Sequence, residues 1–167
     1  MPRSPSHSTV IIGVGNEDRR DDAVGLIVAR CLRKTLPPAV VIHEESGDSI
    51  RLMELWKGSE VTIIIDAAQS GSKPGHIHRF EARESTLPKN VFQYSTHTFT
   101  LSHAVELARA MNELPSTLVI YGIEGENFDE GQGLSSALDR AARRLADSIV
   151  LEVLERTGLT ASVADAE

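Results

Sequence analysis

A chain of 167 residues, 41% hydrophobic and 25% charged, suffices for one domain with a substantial core and has no apolar run near the ~20 residues of a membrane-spanning helix. Its net charge of −7 and its 4% aromatic content argue against nucleic acid, an anionic membrane surface and a base-stacking platform. The single cysteine, Cys31, excludes an intramolecular disulfide and a cysteine-built zinc site.

Thr9–Val14 is an apolar run closed by glycine and predicts a buried strand. Val24, Ile27, Val28, Cys31 and Leu32 recur at helical spacing, with Cys31 as a buried small hydrophobe, and Pro37-Pro38 ends that helix near Leu36. A second strand is predicted over Ala39–Glu44, then a turn at Ser46-Gly47-Asp48 and a helix from Ile50 through Trp56 towards Gly58. Val61–Ile65 predicts a third strand with Asp66 at its end, and Gly75–Ala82 alternates as a less buried edge strand. Leu87–Tyr94 reads as loop. A helix then runs from Phe99 or Leu101 to Met111, Leu118–Ile123 is the last strand, and Ser135–Leu154 is a long helix stopped by Gly158.

Strands alternating with helices predict a single-domain α/β three-layer sandwich over residues 9–157: a mostly parallel twisted sheet of about five strands with helices on both faces. Residues 1–8 and 158–167 are expected to be mobile tails. Met1–Ser8 lacks the apolar stretch of a signal peptide, so a cytoplasmic protein is expected. In open sheets of this kind the ligand crevice lies beyond the carboxyl ends of the strands. Asp21 and Asp22 follow the first strand and Asp66 ends the third, so parallel neighbouring strands would place Asp22 and Asp66 on one rim, which His97, preceding a helix, could face. Two carboxylates and an imidazole suit a divalent transition metal.

The turn that carries Gly13 and Gly15 also carries Glu17, Asp18, Asp21 and Asp22, with only Arg19 and Arg20 to offset them, so it suits a cation better than a phosphate. Each of these residues has an ordinary structural reading as well. Asp21 and Asp22 can cap a helix. His97 can be a surface or capping residue, and His43, His76, His78 and His103 have no better claim, although His76 and His78 share one face of a strand. Asp66, following three isoleucines, needs a partner or a function.

Gly13-Val14-Gly15-Asn16 followed by Asp21-Asp22-Ala23-Val24-Gly25 resembles the opening signature of the hydrogenase maturation proteases. Ile64-Ile65-Asp66-Ala67-Ala68 is similar to that family's strand ending in a metal-ligating aspartate. Ser95-Thr96-His97 is similar to its serine-any-histidine helix entrance, and Gly122-Ile123-Glu124 with Gly133-Leu134-Ser135 to its last strand and loop. The resemblance implies an endopeptidase that removes the C-terminal extension of a nickel–iron hydrogenase large-subunit precursor once nickel is inserted. It further implies that Asp22, Asp66 and His97 meet the nickel carried by the precursor, or another divalent metal in its place. The water that cuts the peptide bond would then be activated either by that metal or by Asp22 and Asp66 as a catalytic carboxylate pair. Gly15, Asn16, Asp21, Gly47 and Glu124 are the expected substrate contacts, and a monomer with weak metal affinity of its own is expected. Asp22 stands where some members have glutamate, one methylene longer. Two other readings stay open: a module that binds the nickel-loaded precursor without cutting it, and a nucleotide- or phosphate-binding enzyme, against which Asp18 stands at the position of the fingerprint's third glycine.

Overall fold

The computed structural model describes residues 9–88, 90–92 and 101–161. In chain order the elements are β1 (Thr9–Val14), a 3-10 turn (Arg20–Ala23), α1 (Val24–Thr35), β2 (Val41–Glu45), α2 (Ser49–Trp56), β3 (Val61–Ala68), β4 (Ile77–Glu81), α3 (Leu101–Ala110), β5 (Thr117–Glu124) and α4 (Ser136–Thr157). The five strands form one sheet in the order β2-β1-β3-β5-β4. All neighbours are parallel except β4, which runs antiparallel to β5 at the edge. The expected three-layer architecture is therefore the observed one.

Alternation along the strands builds two cores, because successive side chains leave opposite faces of a pleated sheet. Ile11, Ile63, Ile65, Val119 and Ile123 face α1 and α4, where Val24, Val28, Leu32, Leu138, Leu145 and Ile149 meet them. Val10, Ile12, Ile64, Leu118 and Ile120 face α2 and α3, against Leu52, Trp56, Ala104, Val105 and Ala108. Burial on both faces explains why the central strands read as unbroken apolar runs. Helix ends follow local chemistry. Asp48 accepts the N–H groups of Ile50 and Arg51 at 2.9 and 3.2 Å to start α2, and Gly158, at φ +67°, ends α4. Cys31 packs against the α1/α4 core but is only partly buried. Among the described residues no helix is long and apolar enough to cross a membrane.

Two features of the sheet position the site. The chain leaves β1 for β2 on one side and returns to β3 on the other, so the strand order reverses between β1 and β3 and leaves a crevice beyond their carboxyl ends. The second feature is α1, which lies almost in contact with the strand backbones. A Cβ on Gly25 would fall 2.3 Å from the carbonyl oxygens of both Val14 and Ile65, and one on Gly13 would fall 2.2 Å from the Gly25 carbonyl oxygen. Gly15 is as tight, its Cβ position 2.1 Å from the Asp22 carbonyl oxygen. These glycines let the 3-10 turn and the start of α1 descend onto the ends of β1 and β3.

Gly25→Ala is expected to force α1 off the sheet, because the obstructing atoms are backbone. The overpacking cost is about 1–3 kcal/mol, a fall in Tm of several degrees. Leu151→Lys, at a position 65% exposed on α4, is expected to stay within about 0.5 kcal/mol of the parent. Equal thermal unfolding of the parent and the Gly25 variant would contradict this packing.

Candidate active site

The crevice has a volume of about 520 Å³, and Gly15, Asn16, Asp22, Gly47 and Asp66 all line it. Five of the expected site residues are thus brought together. Val14, Leu26, Ala67, Phe92 and Leu101 supply an apolar wall, and Glu17, Asp18, Glu44 and Glu45 supply further carboxylates. Sequence reading missed the contribution of the β2 end, which follows from β2 pairing with β1 so that Glu44 lies beside Gly13 and Glu45 beside Val14. It also missed Phe92, which packs over Gly122, where a Cβ would meet the ring at 3.0 Å. His97 lies outside the described residues. Among the described residues no set of three His, Cys, Asp or Glu side chains is placed to hold a metal ion.

Asp66 departs from its expected place at a strand end. β3 continues through Ala68 because β5 pairs with it as far as Glu124, with Asp66 opposite Gly122. On the other side β1 stops at Val14, and its pairing with β3 ends at Gly13–Ile65. Asp66 therefore lies within a strand yet past the end of its neighbour, which opens it to the crevice. One carboxylate oxygen accepts the Ala67 N–H at 2.8 Å. Burial and the charge of Asp22 together raise its pKa well above the ordinary aspartate value, against that one hydrogen bond. Asp22, carried on the 3-10 turn, is half-buried, and its pKa is also raised, by desolvation, with Arg19 and the Asn16 N–H opposing. The structure thus sets two half-buried carboxylates close enough to feel one another.

The remaining acids are handled differently. Arg30 on α1 pairs with Glu17 and with Glu44 at 2.8 Å, Arg33 with Glu44 at 2.6 Å, and Arg51 with Glu45 at 3.2 Å. Glu17 is thus offset by Arg30, and the expectation that only Arg19 and Arg20 could act here is corrected. Arg20 instead extends over Gly131 and donates to the Gln132 carbonyl at 3.4 Å. Burial disfavours the Glu44 carboxylate, but Arg33 and Arg30 outweigh it and hold its pKa below the usual value. Among the described residues, Arg19 is the one arginine that acts on Asp22, and none acts on Asp66.

Asp21 and Glu124 are corrected as substrate contacts, because both are buried and neither lines the crevice. Asp21 is 0% exposed. It accepts the N–H groups of Glu126 and Asn127 at 2.9 Å each, and from Ser135 the N–H at 2.7 Å and the hydroxyl at 3.0 Å. Neither Asp21 nor Asp22 caps α1 through its side chain. Glu124 accepts from Ser70 N–H at 2.7 Å, Ser70 Oγ at 2.9 Å and Gly71 N–H at 2.9 Å, and meets His78 Nε2 at 3.1 Å. It anchors the loop after β3. His78 is thereby engaged by Glu124, and the His76 ring stacks edge-on against it at 4.6 Å.

A carboxyl group whose pKa is raised on folding binds its proton more tightly in the native chain. The native state therefore loses stability as pH climbs from below about 4, the ordinary aspartate range, through the raised values, and no more above them. Asp66→Asn and Asp22→Asn are each expected to raise the Tm of the metal-free protein at neutral pH, by about 2–4 °C for each ~1 kcal/mol relieved. The gain over the parent should shrink towards zero as pH falls to about 4. Variants that melt at or below the parent at neutral pH would contradict the crowding of these carboxylates.

Residues 27–152, a span that includes Asp66 and His97, match the family model of hydrogenase maturation proteases. The chain is 24% identical to the hydrogenase expression/formation protein HoxM of Azotobacter vinelandii, over 95% of this chain and 77% of that one. It is 22% identical to HupD of Thiocapsa roseopersicina, over 91% of this chain and 70% of that one. Among solved structures it resembles the hydrogenase maturating endopeptidase HybD from E. coli, with a TM-score of 0.76 at 25% identity over 92% of this chain and 95% of that one. It also resembles the nickel–iron hydrogenase maturation protease HycI from Thermococcus kodakarensis, with a TM-score of 0.66 at 25% identity over 91% and 95%. With its sheet order, its crevice and the extent of these matches, the chain belongs to the hydrogenase maturation protease family.

Proposed function

We propose that the protein is an endopeptidase that removes the C-terminal extension from the large-subunit precursor of a nickel–iron hydrogenase, recognising the nickel that the precursor carries. The observation that supports this best is the pairing of Asp22 and Asp66 in an open crevice, each with a raised pKa, beside a wall of carboxylates already satisfied by arginines. Two available carboxylates present hard anionic oxygens to a cation and repel a phosphate.

In this reading Asp22, Asp66 and His97 complete the coordination of a metal whose other ligands belong to the precursor. Docking through that metal would fix one peptide bond against the crevice, and positioning of this kind is a major source of rate. The two carboxyl groups suit acid–base work on that bond. Burial and the charge of Asp22 keep a proton on Asp66 more readily than on an ordinary aspartate, and Asp22, opposed by Arg19, is the better candidate to accept one from water. The apolar wall of Leu26, Phe92 and Leu101 would exclude bulk solvent from the docked segment.

The test is incubation of purified protein and its variants with nickel-loaded precursor, followed by mass spectrometry of the precursor. The parent is expected to release the extension, and Asp22→Asn, Asp66→Asn and His97→Ala are each expected to lower the rate at least 100-fold while remaining folded, on the scale of lost acid–base groups. Trimming by all three variants at the parental rate would reject the site. Stable binding of the precursor by the parent without cleavage would reject the peptidase reading in favour of a binding module.

A further inference from the structure

We infer that Asp21 is a positioning residue: its buried carboxylate, gripped by Glu126, Asn127 and Ser135, holds the 3-10 turn so that Asp22 faces Asp66. The assignment rests on the proposed role of Asp22 and Asp66, but its geometry can be tested without any cleavage. Asp22 and Asp66 line the same crevice, Asp22 from the 3-10 turn, so whatever anchors that turn sets where the Asp22 carboxylate stands. The backbone supplies part of that anchor, with the Asp22 N–H donating to the Arg19 carbonyl at 3.1 Å.

The larger part comes from the adjacent residue. In a four-residue 3-10 turn successive side chains diverge by roughly 120°, so Asp21 and Asp22 point to different surroundings. Asp21 Oδ2 receives the N–H groups of Glu126 and Asn127 and the Ser135 hydroxyl, and Oδ1 receives the Ser135 N–H. All four donors come from one segment between β5 and α4. Ser135 is the residue that opens α4, yet its hydroxyl goes to Asp21 rather than to the helix. The same segment is bound again by backbone hydrogen bonds. Asp21 N–H donates to the Asn127 carbonyl at 3.0 Å, Arg20 N–H to the Gly131 carbonyl at 3.1 Å, and Gly131 N–H to the Asp18 carbonyl at 2.8 Å. Charge-assisted bonds to a fully buried carboxylate are strong, and they tie the turn to the β5–α4 segment.

A double-mutant cycle reads this directly. Asp22→Asn, Asp66→Asn and the double variant are melted at one neutral pH in three backgrounds: parent, Asp21→Asn and Ser135→Ala. In the parent background the gain in Tm of the double variant should fall short of the sum of the single gains, because either amide already removes the shared repulsion. Asp21→Asn, which keeps one acceptor oxygen of two, is expected to cut that shortfall by more than half. Ser135→Ala, which removes one donor of four, should cut it by a smaller amount and decides the matter if Asp21→Asn does not fold. A uniform drop in Tm that leaves the shortfall intact would make Asp21 a structural anchor only and overturn the inference, as would the absence of any shortfall in the parent background. With nickel-loaded precursor, Ser135→Ala is expected to lower kcat several-fold with KM unchanged. Failure of the parent to cleave would reject the peptidase reading while leaving the cycle readable.

Discussion

The close seating of α1 on the ends of β1 and β3 is the constraint from which the rest of the site follows. Gly13, Gly15 and Gly25 leave no room for a side chain, and the atoms that fill the space are backbone carbonyls of Asp22, Gly25, Val14 and Ile65. A helix held that near the strand ends places its preceding turn directly over the crevice. Asp22, on that turn, then meets Asp66, which projects where β1 has ended and β3 has not. The two cores beneath keep the sheet and helix from separating.

The same contacts explain why a glycine-rich strand–turn–helix need not bind phosphate. In a phosphate cradle the glycines open the backbone amides to an anion. Here the space over the glycines is filled by the chain itself, and the crevice is lined with carboxylates. Arginines from α1 and α2 balance Glu17, Glu44 and Glu45 around it. Asp22 and Asp66 are left as the groups whose charge is least well accommodated, and a cation brought by a partner would relieve both. This accords with the proposed recognition of a metal-loaded substrate.

Much of this was legible in the sequence. Burial of the central strands on both faces gives continuous apolar runs, so Ile63, Ile64 and Ile65 announce a central strand, and the 3.6-residue spacing of Val24, Val28 and Leu32 announces a covering helix. The meeting of Asp22 and Asp66 on one rim followed from the crevice rule applied to parallel, neighbouring first and third strands. What sequence could not separate was Asp21 from Asp22. Adjacent aspartates look alike until the turn geometry sends one to the β5–α4 loop and the other to the crevice. Glu124 was misread for a similar reason, since its burial depends on Ser70 and Gly71 folding back over the end of β5. The end of β3 was set three residues early because its last pairs are made with β5, a strand about fifty residues further along. His97 falls outside the described residues, and its part in the site stays with the proposal.

The most direct measurement is a carbon-detected NMR titration of the side-chain carboxyls of Asp22 and Asp66 in the metal-free protein. Asp66 should titrate well above an ordinary aspartate, and Asp22→Asn should bring it down, because the charge that helps to raise it has gone. An Asp66 that titrates in the ordinary range, indifferent to residue 22, would show that the two carboxylates do not share a site.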